Sequence, residues 1–173
     1  MSKESLFRKA MEENEERIFR ICRYYYSDSE DQNDAFQESL VRIWEKIDSF
    51  RNESKLSTWI YRVVVNTCLS GLRREKKRKG LFETGRDVEK IHITETPPGE
   101  AGQEEELKLD FFRTFMKLIT PVDRMLVSLY LEEVSTKEMS EITGLSESNV
   151  RVKIHRIKEQ IIKAWEEQSH GIR

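Results

Sequence analysis

The stretch GLSESNVRVKIHRIKEQI, residues 144–161, sets Val150, Ile154, Ile157 and Ile161 at i, i+4, i+7 and i+11, the spacing of one helix face. Arg151, Lys153, Arg156 and Lys158 occupy the rest of the circumference. A guanidinium can bond both acceptors of a guanine edge, whereas an ammonium is a compact charge suited to phosphate. Just upstream lies a short helical pattern that ends at Gly144, so the order is helix, glycine turn, long helix, with Met139, Ile142, Leu145, Val150 and Ile154 as a shared core. In a helix-turn-helix the second helix enters the major groove by its N-terminal half. Ser148, Asn149, Arg151, Val152, His155 and Arg156 would then face base edges, with Lys153 and Lys158 on phosphates. The same pattern also fits a bundle helix whose charged face meets only water.

Catalytic chemistry finds no comparable constellation. No G-x-x-x-x-G-K-[ST], H-E-x-x-H or G-x-S-x-G is present, and His92, His155 and His170 are too scattered to suggest a metal site. Cys22 and Cys68 each sit inside an apolar helical pattern, far apart in sequence, which supports neither a disulfide framework nor a zinc site. Carboxylates are abundant, but abundance on helical surfaces makes no catalytic pair. The expectation is a chain without enzymatic activity, cofactor or metal.

With 173 residues, the chain is long enough for one medium domain or two small ones. Charged residues make up 36%, yet the net charge is only -2, so distribution rather than total charge must indicate the partner. RREKKRK at 73–79 and the 151–158 stretch are basic; QEEEL at 103–107 and the first twenty residues are rich in acid. The N-terminus lacks the apolar core of a signal peptide, and no window approaches the roughly 18 apolar residues of a membrane span. A reduced, cytoplasmic protein that does not insert in membranes is expected.

The elements that must position these residues are helical. No proline precedes Pro97, and the periodicity up to Lys79 is helical throughout. A first helix is expected over about 6–26, burying Phe7, Ile18, Ile21, Cys22 and Tyr25. Ser27 and Glu30 have the spacing of a capping box for a second, with Phe36, Leu40, Ile43, Trp44 and Ile47 on one side. Opposite that stripe, Asp34, Gln37, Glu38 and Val41 form one outward face by their i, i+3, i+4, i+7 spacing. After the loop DSFRNES, Ser54 is placed to cap a third helix with Leu56, Trp59, Ile60, Val63, Val64, Thr67, Cys68 and Leu72 as its stripe; Trp59 reads as core. Gly71 inside that helix should cost about 1 kcal/mol relative to alanine. Periodicity fails from Gly80 to about Glu106, which reads as a flexible linker. Thr120 with Pro121, the Ser135/Glu138 capping box and Ser146 then start the helices of a second unit.

The segment DAFQESLVRIWEKIDSFRNESKLSTWIYRVVVNTCLSGLRREKKR resembles region 2 of the extracytoplasmic function class of sigma-70 family sigma factors. The pattern is D-x-x-Q-E leading to Trp, then D-x-F-x-x-E-S, T-W-[IL]-Y-R, an Asn four residues on, and L-R-R. Here it falls on Asp34, Gln37, Glu38, Trp44, Asp48, Phe50, Glu53, Ser54, Thr58 to Arg62, Asn66 and Leu72 to Arg74. LITPVDRMLVSLYLEEVSTKEMSEITGLSESNVRVKIHRIKEQI is similarly like region 4 of that class.

The resemblance implies an all-α chain: a region 2-like bundle over 1–79, a linker over 80–106, and a region 4-like helix-turn-helix over 107–173. It implies that Asp34, Gln37, Glu38 and Val41 dock on the beta-prime clamp helices of core RNA polymerase, whose beta subunit is a further partner. The loop Phe50, Asn52, Glu53 and Ser54 would hold a flipped base of the promoter -10 element, Asn66 would contact the same element, and Arg62, Arg73, Arg74, Lys76 and Lys77 would hold its phosphates. The helix-turn-helix would read the -35 element. An anti-sigma factor is a partner such proteins commonly have. Asn52 stands where many members have glycine, and Leu56 where phenylalanine is frequent. Two other readings stay open: a stand-alone helix-turn-helix regulator of duplex operators, and a helical module that titrates a protein partner without touching DNA.

Overall fold

The structure, a computed structural model, describes residues 2–78 and 101–170. Seven α-helices and one 3-10 turn make up its regular structure, and the described residues contain no strand: α1 Lys3–Tyr25, α2 Ser29–Lys46, the turn Ile47–Ser49, α3 Leu56–Arg78, α4 Ala101–Leu118, α5 Pro121–Leu131, α6 Thr136–Thr143 and α7 Glu147–His170. Most of the expected linker, with His92 and the Pro97-Pro98 pair, lies outside the described residues. Residues 101–106, expected as its end, instead open α4, since alanine, glutamine and glutamate are strong helix formers that the preceding prolines and glycines had masked.

Helices α1, α2 and α3 pack on one another. Their core holds Ala10, Ile18, Ile21, Cys22, Tyr25, Ile43, Ile47, Ile60, Val64, Val65 and Cys68, and burying each large aliphatic chain contributes about 1.5–3 kcal/mol. Phe7 is only partly buried. The cap of α2 is Asp28, whose carboxylate accepts from the Glu30 and Asp31 N–H groups; Ser27, the expected cap, stands one residue too early. Ser54 does not cap α3 either. The first α3 bond runs from the Trp59 N–H to the Lys55 carbonyl, and the Ser54 hydroxyl lies 3.4 Å from that same oxygen rather than accepting from an N–H.

The stripe on α3 is wider than a single-face reading allows, because α1, α2 and α6 all contact this helix. Tyr61 is therefore buried, its hydroxyl donating to the Asn14 carboxamide oxygen and accepting from Arg17 Nη1, while Trp59 is only half-buried. Trp44 departs in the same sense: 37% exposed, it lies at the edge of the α2 stripe, edge-on to Phe7 and under the Lys3 ammonium.

Gly71 has a packing reason. A Cβ there would collide with the Tyr26 hydroxyl, which donates to the Cys68 carbonyl at 3.1 Å. Gly71→Ala is expected to destabilise the protein by about 1 kcal/mol in spite of alanine's better helix propensity. In a Tyr26→Phe background, where the hydroxyl is gone, the same change should become stabilising by roughly 0.5–1 kcal/mol. Urea unfolding of the four proteins measures that reversal of sign.

In the second half, the expected caps form. The Thr120 hydroxyl accepts from the Asp123 N–H, Ser135 and Glu138 make the reciprocal capping box, and Ser146 accepts from the Asn149 N–H. Gly144, at φ 76°, ends α6 in the left-handed region that glycine enters without penalty. Met139, Ile142 and Val150 are buried, with Leu145 and Ile154 packed against them, so the shared core of helix, turn and helix is as expected. A smaller cluster of Phe115, Met116, Ile119, Val127 and Ile157 ties α4 to α5 and α7. Periodicity could not foresee that Met125, Leu126, Leu129, Val134, Met139, Ile142 and Val150 would join the same buried cluster as the α1–α3 core.

Candidate nucleic-acid and polymerase interfaces

Helix α7 presents its side chains as the apolar spacing requires. Val150 and Ile157 face inward; Ser148, Asn149, Arg151, Val152, His155, Arg156 and Lys158 are exposed, Val152 at 46%. Lys153 differs, being half-buried with its ammonium 2.9 Å from Asp123 at the start of α5. Lys158 lies over the Tyr130 ring and donates to its hydroxyl at 2.6 Å. Arg151 makes only a 3.5 Å surface pair with Glu147, a contact worth a few tenths of a kcal/mol that a base edge could replace. His155 similarly faces Glu159.

The outward face of α2 forms as the spacing requires. Asp34, Gln37 and Val41 are exposed, Val41 at 54%, and the exposed Trp44 ring extends that face with apolar surface. Glu38 is half-buried. Its carboxylate accepts from Arg42 and, with both oxygens at 2.8 Å, from Arg74 on α3. Burial alone would raise the Glu38 pKa, but the hydrogen bonds from Arg74 and Arg42 outweigh it and hold the carboxyl below the usual range. The Arg42 pairing is legible as i, i+4; the Arg74 pairing depends on how α2 and α3 cross.

Between the two helices, the loop takes a defined course. The Phe50 N–H donates to the Ile47 carbonyl, and the half-buried Phe50 ring lies 5.8 Å from that of Trp59. Asn52 has φ 57°, a left-handed conformation that asparagine adopts at modest cost and glycine freely. That conformation explains asparagine where glycine is frequent. Asn52 and Glu53 are exposed and Ser54 is half-buried. Along α3, Arg62, Asn66, Arg73, Arg74 and Lys77 are all exposed, with the Asn66 amide donating back to the Arg62 carbonyl; the Lys76 side chain lies outside the described residues. Loop and basic helix thus adjoin, and the α2 face connects to them through the Glu38–Arg74 pair.

Two carboxylates link the halves, Glu132, which no motif flagged, and Glu138, expected only as part of a helix cap. Glu132, just after α5, has its side chain 2% exposed and accepts from Arg20 and Tyr24 of α1. Glu138 of α6 takes Lys55 at 3.0 Å and the Thr58 hydroxyl at 3.1 Å. The hydrogen bond from the Ser135 hydroxyl, joined by that from Lys55, outweighs the upward push of burial and brings the Glu138 pKa down to about 2. A depressed carboxyl pKa contributes stability above its unfolded value near 4.3 that is lost as pH falls through the folded value. Carbon NMR of the Glu138 carboxyl is expected to show a midpoint near 2, shifted upward in Ser135→Ala.

A helix-turn-helix with an exposed basic face, joined to a helical bundle bearing a second basic helix and an outward helix face, has the layout of a two-part DNA-binding protein. Residues 10–78 match the Sigma-70 region 2 family and residues 112–161 the Sigma-70, region 4 family. The chain is 33% identical over 148 residues to the ECF RNA polymerase sigma-E factor of Salmonella typhimurium, covering 79% of this chain and 74% of that protein. It is 27% identical to the ECF RNA polymerase sigma factor SigW of Bacillus subtilis, over 86% and 82% of the two chains. The fold is that of the sigma factor RpoE solved with the anti-sigma factor NepR from Bartonella quintana, at TM-score 0.67 and 18% identity over 92% and 96% of the chains. CnrH, solved with the cytosolic domain of CnrY, gives 0.64 and 17% over 92% and 87%.

The chain belongs to the extracytoplasmic function class of sigma-70 family RNA polymerase sigma factors, which direct polymerase to promoters.

Proposed function

We propose that residues 1–79 bind core polymerase and melt the -10 element, that 80–106 connect the two promoter-binding parts, and that 107–173 bind the -35 element. The observation that carries this reading is the joining of the α2 outward face to the basic α3 through Glu38 and Arg74. Polymerase docking and strand capture then occur on one rigid bundle. Asp34, Gln37, Glu38 and Val41 meet the beta-prime clamp helices, with the beta subunit as second contact. Phe50, Asn52, Glu53 and Ser54 receive the flipped base, whose unpairing costs a few kcal/mol that the pocket and backbone contacts offset. Asn66 supplies an amide donor and acceptor to a base edge; Arg62, Arg73, Arg74, Lys76 and Lys77 neutralise phosphates. On α7, Ser148, Asn149, Arg151, Val152, His155 and Arg156 read the duplex, Val152 by touching a thymine methyl, with Lys153 and Lys158 on phosphates.

Polymerase performs the chemistry and this chain none. No described helix is long and apolar enough to cross a membrane, and the working site is the cytoplasm, with an anti-sigma factor as a regulatory partner. The test is a fluorescent base analogue at the flipped -10 position. With core polymerase and this protein, its emission should rise on open-complex formation, and Phe50→Ala with Asn66→Ala should suppress the rise; an unchanged rise would remove those residues from the base site.

A further inference from the structure

We propose that Tyr130, at the end of α5, is a DNA-binding residue: its hydroxyl and the Lys158 ammonium form a two-pronged site for one backbone phosphate at the -35 element. The inference rests on the reading of α7 given above and adds to it a residue from outside that helix.

Tyr130 does not belong to the core of its own helix. Leu126, Val127 and Leu129 of α5 are buried, whereas Tyr130 is 44% exposed and meets α7 instead. There the Lys158 Nζ lies 4.1 Å from the ring centroid and donates to the hydroxyl at 2.6 Å. That bond fixes what the pair can still do. Because the hydroxyl accepts from Lys158, its own proton is left to donate, and the ammonium keeps two further N–H donors. Tyr130 is neutral, so the positive charge of Lys158 is not offset. An anionic oxygen is the acceptor that suits both prongs, since charge-assisted bonds are shorter and stronger than neutral ones. Lys153 provides the contrast: its ammonium stands 2.9 Å from the Asp123 carboxylate, which offsets its charge before any DNA arrives.

Position along α7 agrees with a phosphate as the ligand. Lys158 follows Arg151 by seven residues, two turns or about 10 Å further along the same edge of the helix. A recognition helix meets base edges by its N-terminal turns, so a cation two turns on stands at the level of the backbone. The end of α5 is held as well. The Glu133 N–H donates to the Tyr130 carbonyl at 3.0 Å, and the Val134 N–H to the Leu129 carbonyl at 3.1 Å, which closes the turn beneath the ring. A lysine already seated on a ring loses less freedom on binding phosphate than a free one, and that preorganisation favours affinity.

The test measures promoter binding by holoenzyme assembled with bacterial core polymerase, on a promoter that this protein selects, with methylphosphonate replacing the -35 phosphates one at a time. Tyr130→Phe keeps the ring and loses only the hydroxyl. It is expected to weaken binding about tenfold with the salt slope unchanged, whereas Lys158→Ala should lower that slope by about one. Tyr130→Ala, which also removes the seat of Lys158, should weaken binding further. At one phosphate, neutralisation should weaken the wild type and abolish its advantage over Tyr130→Phe, an outcome that a purely structural tyrosine does not produce. Wild-type affinity in Tyr130→Phe, or a loss that persists whichever phosphate is neutralised, would overturn the two-pronged site and leave the reading of α7 in place. Wild-type binding indifferent both to the -35 sequence and to Lys158→Ala would overturn that reading and the site with it.

Discussion

Alanine at Asp34, Gln37 and Glu38 together is expected to reduce promoter-specific initiation by more than about 100-fold, since central interface residues each contribute on the order of 2 kcal/mol, or roughly thirtyfold. The helical fold should survive. Asp34 and Gln37 are exposed, and α2 is held from its other face by Ala35, Ser39 and Ile43. Glu38 contributes differently from its neighbours, because its removal also frees Arg74 from a bidentate contact. Asp34→Ala/Gln37→Ala should therefore lose polymerase affinity with its response to -10 changes intact, whereas Glu38→Ala alone should alter both. Transcription with purified core polymerase, alongside circular dichroism for helix content, separates the cases. Full initiation by the triple variant would mean that this face does not dock the polymerase.

The second large effect lies on α7. Arg151→Ala/Arg156→Ala is expected to weaken recognition of the -35 element by roughly 2–6 kcal/mol if each guanidinium bonds a guanine edge, and to relax base preference at two positions. Neither side chain is buried, so stability should change by no more than about 0.5 kcal/mol. Lys158→Ala provides the contrast. A phosphate contact should weaken binding alike on all sequences and reduce the salt slope by about one. Competition transcription between promoters that differ only at -35, at several salt concentrations, reads all three quantities.

The helices, the helix-turn-helix core and three of the N-caps were legible in the sequence because they depend on near neighbours. Thr120, Ser135 and Ser146 each bond an N–H three residues ahead, and Gly144 meets a local backbone demand. The misses share a different cause. Tyr61 is buried and Trp59 only half-buried because α1, α2, α5 and α6 all contact α3, which one-face periodicity does not encode. Trp44, 37% exposed, lies at the edge of its stripe rather than within it. Asp28 rather than Ser27 caps α2, two plausible caps being adjacent and only backbone geometry choosing between them. The outward α2 face and the α7 reading face were legible as exposed surfaces. The partner proposed for each rests on the family resemblance, since a solvated helix face carries no label for its partner. Glu132 and Glu138 were illegible as contacts: their partners stand 112 and 83 residues away in sequence, and no spacing rule reaches that far.

Transcription from a promoter library by purified bacterial core polymerase, with and without this protein, tests the central claim most directly. The account predicts initiation at a distinct subset of promoters only when the protein is present, with shared sequence near both -35 and -10. Tight, specific binding of duplex operators by the protein alone, with no initiation at any promoter when polymerase is added, would contradict it and indicate a stand-alone regulator.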